Sequence, residues 1–242
     1  MLYTFLLVLT FWTASVQALV LEELIANNML QTAMQNKQVG YFVGSFDPLH
    51  KAHEAIVDST LSLNLVDCII LHPVWGGDIY KVRSSVDVRL DMLFAIYKNH
   101  PKVLVSRLTP KQLQDALSTT FDKTTFVGIL GSDTALYLSP NPETSLVYMT
   151  GKTIPEEHYE HTWGSCMAIP VSSFIVALRD NDNIDCLNGM LRERPIVATF
   201  RIDAPNELSS TALKKALNNN ECIDHVVSSN IRTIIDQHKL YR

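Results

Sequence analysis

Short apolar runs at Val39–Val43, Cys68–Val74, Thr125–Leu130 and Ser173–Leu178 set the tightest limit on what this chain can form. They have the length of strands and are apolar at consecutive positions rather than alternate ones. A strand built this way must be covered on both faces. Segments with helical spacing lie between them. His53–Leu63 aligns Ala55, Ile56, Ser59, Thr60 and Leu63, and Val86–Tyr97 gathers Val86, Leu90, Leu93, Phe94 and Tyr97 on one side. Pro110–Leu117 is a further helix, and Val103–Ser106 and Ile196–Ile202 are further strands. This alternation predicts a Rossmann-like α/β fold, an open parallel sheet with helices on both faces. The 47% hydrophobic content of the 242 residues supplies such a core and excludes a disordered chain. The breaks at Gly44–Pro48, Pro73–Gly77 and Gly131–Asp133 each follow a strand. A parallel sheet brings them to one rim, its carboxyl end, where ligands of open α/β sheets bind.

The N-terminus has a different character. Met1–Leu21 carries no charged side chain, Phe5–Trp12 is apolar, and small residues lead to Val16-Gln17-Ala18, which has the form of a signal cleavage site. Residues 1–18 are therefore expected to be a signal peptide or membrane-inserting leader. Residues 19–38 are expected to be a linker or leading helix, and 39–242 the folded domain. The leader lacks Lys and Arg, so a tether or a docked helix stays open, and with it the choice between a secretory route and the cytoplasm. Any membrane contact would be through this segment if it is not cleaved. The leader supplies no residue type that the chemistry below needs, so a chain starting near Glu22 is expected to fold and act. The net charge of −5 argues against a nucleic-acid binder and leaves room for a small anionic ligand held by local donors. The cysteines at 68, 166, 186 and 222 form no CxxC pair, and Cys68 and Cys222 fit buried small hydrophobes. Ser139–Ser172 is irregular and is expected to be an insert.

Several partial motifs fail on inspection. Gly151-Lys152-Thr153 ends like a phosphate-binding loop, but Leu146 stands where its first glycine belongs. No GxGxxG occurs. His53-Glu54 is followed by Val57 where a zinc protease needs its second histidine. Glu157-His158-Tyr159-Glu160-His161 has no third ligand group nearby and fits a solvated loop.

One segment carries chemistry. Gly44-Ser45-Phe46-Asp47-Pro48-Leu49-His50-Lys51-Ala52-His53 joins a strand to a helix. The glycine allows close backbone approach, the helix start offers free N–H groups and a positive dipole end, and two histidines three apart can donate to one anion. That combination describes a phosphate site. Gly44-x-Phe46-Asp47-Pro48-x-His50-x-x-His53 resembles the GxFDPxHxGH signature of the HxGH nucleotidylyltransferases, with Ala52 in place of the usual glycine. His72-Pro73-Val74-Trp75-Gly76-Gly77-Asp78-Ile79-Tyr80-Lys81, with Arg89 and Met92 after it, is similar to the strand–loop–helix block of the mononucleotide adenylyltransferases that make NAD. Gly131-Ser132-Asp133-Thr134 is similar to their GxD turn, and Asn206–Lys214 to their ISSTxIR block, with Lys214 replacing the arginine. Ile234–Tyr241 resembles their chain end. The resemblance runs from Val39 to the C-terminus apart from Ser139–Ser172.

The resemblance implies transfer of the adenylyl group of ATP to the 5′-phosphate of nicotinamide or nicotinic acid mononucleotide, with pyrophosphate leaving. It implies His50 and His53 as donors to the reacting phosphate and Lys214 as the charge that neutralises the leaving group. ATP would meet Gly44, Ser45, Phe46, Asp47, Gly131, Asp133, Ser209, Ser210 and Thr211. The mononucleotide would meet Trp75, Lys81 and Arg89. Asp133 fits a ribose ligand or a helix cap, Trp75 a stacking platform or a core residue, and Lys81 and Arg89 phosphate ligands or solvated charges. Mg²⁺ would arrive with ATP and keep mostly water and phosphate ligands, with no protein ligands expected. A homo-oligomer stays open. The competing readings are transfer to a pantetheine, sugar or alcohol phosphate, and an idle nucleotide-binding protein.

Overall fold

The computed structural model describes residues 21–26, 29–75, 82–138, 168–179, 182–204 and 208–241. The leader, Lys81 and most of the expected insert therefore lie outside the described residues. Two short helices, α1 (Leu21–Ala26) and α2 (Leu30–Met34), precede β1 (Gln38–Gly44). There follow α3 (Lys51–Ser62), β2 (Cys68–Pro73), α4 (Val86–Tyr97), β3 (Val103–Val105), α5 (Pro110–Leu117), β4 (Thr125–Gly131), α6 (Ser132–Tyr137) and β5 (Ser173–Leu178). The chain closes with β6 (Met190–Leu191), β7 (Arg194–Arg201), α7 (Ser210–Asn218) and α8 (Ser229–Gln237). The sheet order is β3-β2-β1-β4-β5-β7-β6, parallel except for the β6–β7 pair. This is the expected α/β architecture.

Strand periodicity sorts the apolar side chains into two cores. Phe42, Ile69, Leu71, Val127, Ile129 and Ile175 join the face covered by α3, α4, α7 and α8. Val39, Tyr41, Ile70, Phe126, Leu130 and Val176 join the face covered by α1, α2, α5 and α6. Local signals start the helices as written. Thr109 and Gln112 form a capping box with Pro110 in the first turn of α5, and Ser85, Ser209 and Ser228 cap α4, α7 and α8 through their side-chain oxygens.

The crossovers carrying α3 and α4 cover one face, and the crossover carrying α5 covers the other. The winding therefore reverses between β1 and β4, which are paired neighbours. A crevice opens outside the carboxyl ends of two such strands. Gly44 pairs with Pro73 across β1–β2 and Gly131 with Ala177 across β4–β5, so the three loop breaks sit on one rim.

One open alternative is decided and two expectations change. The segment before Val39 is leading helix rather than linker, and Leu21, Leu24, Leu30 and Met34 are buried in the second core. The N–H of Arg107 also donates to Glu22 Oε1 at 2.7 Å. Cys222 is exposed, whereas Cys68 is buried as expected. The end of the expected insert belongs to the core, because Ile169 and Val171 pack there and Ser172 N–H donates to the Phe126 carbonyl. A chain starting near Glu22 would lose Leu21, whose exposure is 0%. Leu21→Ala is expected to lower stability by about 2–5 kcal/mol in urea unfolding, the usual loss for a buried leucine. A chain cut at Val39 is expected to aggregate. An unchanged urea midpoint in Leu21→Ala would return these helices to linker status.

Candidate active site

The turn from β1 into α3 is shaped by aromatic packing. Phe46 is fully buried with φ +47°, and its ring meets Phe42 edge-on at 5.4 Å and His53 at 5.1 Å. A Cβ at Gly44 would lie 2.8 Å from the Phe46 ring. Gly44 therefore makes room for Phe46. Gly131 does the same for a neighbour, since a Cβ there would lie 2.8 Å from Asp133 Oδ1. That carboxylate accepts the Thr134 N–H at 2.8 Å, so Asp133 takes a capping role in the first turn of α6. Ala52 is buried against the first core and is accommodated in the first turn of α3.

His50 is the N-cap residue of α3, and its backbone N–H donates to His53 Nδ1 at 3.3 Å. That bond leaves the proton of a neutral His53 on Nε2. The two rings stack with centroids 3.8 Å apart. Burial, followed by the charge of Arg179, pushes His50 down to about 3. Burial, then His50 and Arg179, holds His53 well below the usual imidazole value. Both rings are thus neutral donors near neutral pH. His50 Nδ1 is buried with no partner, an orphan that a ligand oxygen would satisfy. Arg179 follows β5 and had no motif to mark it; a lone basic residue directly after a strand at the carboxyl rim was its only signal.

Asp47 is buried and receives three donors from three segments. These are the Lys214 ammonium, the Tyr241 hydroxyl and the Ser84 N–H, the last at 3.2 Å. Burial alone would raise the Asp47 carboxyl, but these bonds and the Lys214 charge outweigh it and hold the group below its ordinary value. Lys214 also donates to the Val82 carbonyl at 3.1 Å and lies 4.9 Å from the centre of the Tyr241 ring. Ser210 Oγ reaches the Pro48 carbonyl at 3.5 Å, which sets the start of α7 beside the β1–α3 turn. Ser209 is engaged as its cap, and Thr211 is exposed in the first turn. A cavity of about 450 Å³ opens here, lined by Val82, Arg83, Ser84, Lys214, Asn218 and Tyr241.

The structure thus gathers Ser45, Phe46, Asp47, His50, His53, Ser209, Ser210 and Lys214 around one turn. Arg89 is a correction. It is buried, and its guanidinium donates to the carbonyls of Ser84, Ser45 and Val74 at 3.1, 3.0 and 2.9 Å. It ties the β1–α3 turn to both ends of the β2–α4 connection instead of facing a mononucleotide. Arg83 Nε meanwhile donates to Ser45 Oγ at 2.8 Å. Trp75 is half-buried with its indole N–H unpartnered, which leaves it suited to a ligand. Behind the rim, His72 bridges the Tyr41 hydroxyl at 2.7 Å and the Leu108 carbonyl at 2.9 Å, and burial pushes it down to about 4. Among the described residues, no group of three His, Cys, Asp or Glu side chains forms a metal site.

Comparison with known proteins follows the same line. No family model matches the chain. A Fusobacterium nucleatum protein described as "Probable nicotinate-nucleotide adenylyltransferase" is 28% identical over 207 residues, covering 83% of this chain and 97% of that protein. A Helicobacter pylori protein of the same description is 35% identical over 86 residues, covering 35% of this chain and 49% of that protein. The solved Plasmodium falciparum nicotinic acid mononucleotide adenylyltransferase complexed with NaAD shares the fold, with a TM-score of 0.58 at 20% identity over 85% of this chain and 97% of that chain. The chain is thus similar in fold to a solved adenylyltransferase and similar in sequence to proteins described as adenylyltransferases. The relatives it matches are mononucleotide adenylyltransferases.

Two outcomes follow from this geometry. Arg89→Lys is expected to lower stability by about 2–4 kcal/mol in urea unfolding, because two buried carbonyls lose their donors. A solvated ligand arginine would leave stability unchanged. His50, His53 and His72 are neutral when folded but titrate near 6.5 when unfolded, so the unfolded chain takes up protons first as pH falls. Stability is therefore expected to drop between pH 6.5 and about 3, with Tm at pH 5 lower than at pH 7.5 by at least about 5 °C. His72→Gln should flatten that slope. A level Tm across the range would contradict buried neutral histidines.

Proposed function

We propose that the chain transfers the adenylyl group of ATP to the 5′-phosphate of nicotinic acid mononucleotide or its amide, forming the corresponding dinucleotide and releasing pyrophosphate. The observation that carries this reading is the stacked, neutral histidine pair at the start of α3, with an orphaned ring nitrogen on His50, set beside the start of α7 and the Lys214 ammonium. The names of the relatives supply the acceptor class.

The chemistry asks for no protein nucleophile. The acceptor phosphate oxygen attacks the α-phosphorus of ATP, a new P–O bond forms, and the bond to the β-phosphate oxygen breaks. Such transfer runs on positioning and on donors aimed where charge develops. His53 offers its Nε2–H, and His50 lies against it at the same helix start, where free N–H groups and the dipole favour an anion. The Arg179 charge adds to the positive potential around both rings. Ser209, Ser210 and Thr211 open α7, whose first N–H groups lack partners within the helix and suit the β- and γ-phosphates. Lys214 faces the cavity that would take the leaving pyrophosphate. Magnesium would come with ATP and offset phosphate charge, with no residue of the chain assigned to hold it. Gly131 and Asp133 lie on the neighbouring strand end for the ribose, and Trp75 presents a ring for the pyridine base.

Pyrophosphate release from ATP is expected only when a pyridine mononucleotide is present, with the dinucleotide identified by mass. A panel that includes pantetheine, sugar and alcohol phosphates tests the acceptor, and release with one of those alone would overturn the assignment. His53→Ala is expected to lower kcat on the order of 10²–10³-fold, the usual loss for one such donor, while ATP affinity changes little. Turnover unchanged by that substitution would remove His53 from the chemistry.

A further inference from the structure

We propose that Tyr241 is a positioning residue for nucleotide binding: its hydroxyl holds the buried Asp47 carboxylate so that Lys214 can leave it for a polyphosphate. The inference rests on the proposed adenylyl transfer only in needing ATP to bind; it does not depend on the acceptor.

Lys214 begins bound to Asp47 Oδ2 and the Val82 carbonyl, on the wall of the cavity. A triphosphate in that cavity draws the ammonium toward itself. Asp47 is 1% exposed, so water cannot take the place of the lysine. A buried carboxylate that loses its cation is costly unless other donors remain. Two remain: the Tyr241 hydroxyl on Oδ1 and the Ser84 N–H on Oδ2. Tyr241 is itself held by Ser84 Oγ, which donates to its hydroxyl at 3.3 Å. Its ring, 4.9 Å from the ammonium, gives Lys214 a second, weaker hold that tolerates a shift in position. Tyr241 thus lowers the cost of releasing the phosphate-binding charge. Without the hydroxyl, Asp47 would keep Lys214 to itself and nucleotide affinity would fall.

The test is titration calorimetry of the full chain with the non-hydrolysable α,β-methylene analogue of ATP. Tyr241→Phe keeps the ring and removes the hydroxyl. It is expected to weaken binding about five- to tenfold, a coupling of ordinary size between linked groups. The KM for ATP should rise in step while the KM for the mononucleotide stays as in the parent. A structural role alone would not produce that split. In a Lys214→Met background there is no cation to release, so Tyr241→Phe should change affinity less than about twofold. The same is expected in an Asp47→Asn background, which decides the matter where Lys214→Met does not fold. Unaltered affinity in Tyr241→Phe overturns the inference and leaves the proposed function standing, as does an equal loss in the parent and in both backgrounds. Absence of binding by the parent chain overturns both.

Discussion

The Asp47 carboxylate is the point at which the rest of the site is fixed. It sits in the turn between β1 and α3, and its three donors come from the start of the α4 segment, from α7 and from the chain end. No one of these segments is close to another in sequence; Tyr241 is 194 residues from Asp47. A buried anion demands partners, and here the demand assembles the pocket walls. Other bonds reinforce the closure. Lys51 donates its backbone N–H to the Val226 carbonyl and its ammonium to the His225 carbonyl, so the C-terminal segment is also pinned to the first turn of α3. The helix that carries the histidines is held from its front by Asp47 and from its side by the chain end.

That anchoring matters to the proposed function, in which the histidines are neutral donors. Two imidazoles stacked at 3.8 Å cannot both be charged, and burial beside Arg179 keeps both uncharged. Their contribution is therefore directional rather than a fixed charge, and direction depends on the turn that holds them. Phe46 supplies it by pressing its ring edge against His53, with Gly44 cleared to admit the ring. The fixed charges come from outside the helix, from Arg179 and Lys214. The division suits a reaction whose charge grows on the transferred phosphate and ends on the leaving group.

Much of the fold could be read from periodicity, because strands covered on both faces and helices of two or more turns leave strong patterns. Val86–Tyr97, Pro110–Leu117 and Ser173–Leu178 match their elements end to end. The leading helices left no such pattern: α1 has six residues and α2 five, too few to show a face. The turn around His50 was legible because strand, glycine, helix start and histidines are contiguous. Arg89 was misassigned for a physical reason. An arginine beside a phosphate-binding block has the same composition whether its fork meets a phosphate or three backbone carbonyls, and only burial separates the two. Tyr241 lay in a segment matched by resemblance, yet nothing local to it signals a partner in the first strand–helix turn.

Lysine at position 214, where the resembled families carry arginine, becomes intelligible from the same hub. The ammonium occupies a small space bounded by the Asp47 carboxylate, the Val82 carbonyl and the Tyr241 ring. A compact charge with three rotatable donors satisfies two oxygens there at once and can turn toward the cavity without moving its stem. A guanidinium is planar and presents its donors as a fixed fork, which grips a phosphate better but has to move as a unit to exchange partners. The second cation on the cavity wall, Arg83, is held to Ser45 in the turn itself. The chain thus keeps a fork at one side of the cavity and a point charge at the other. Under the proposed function, that point charge is the one placed to serve the leaving group.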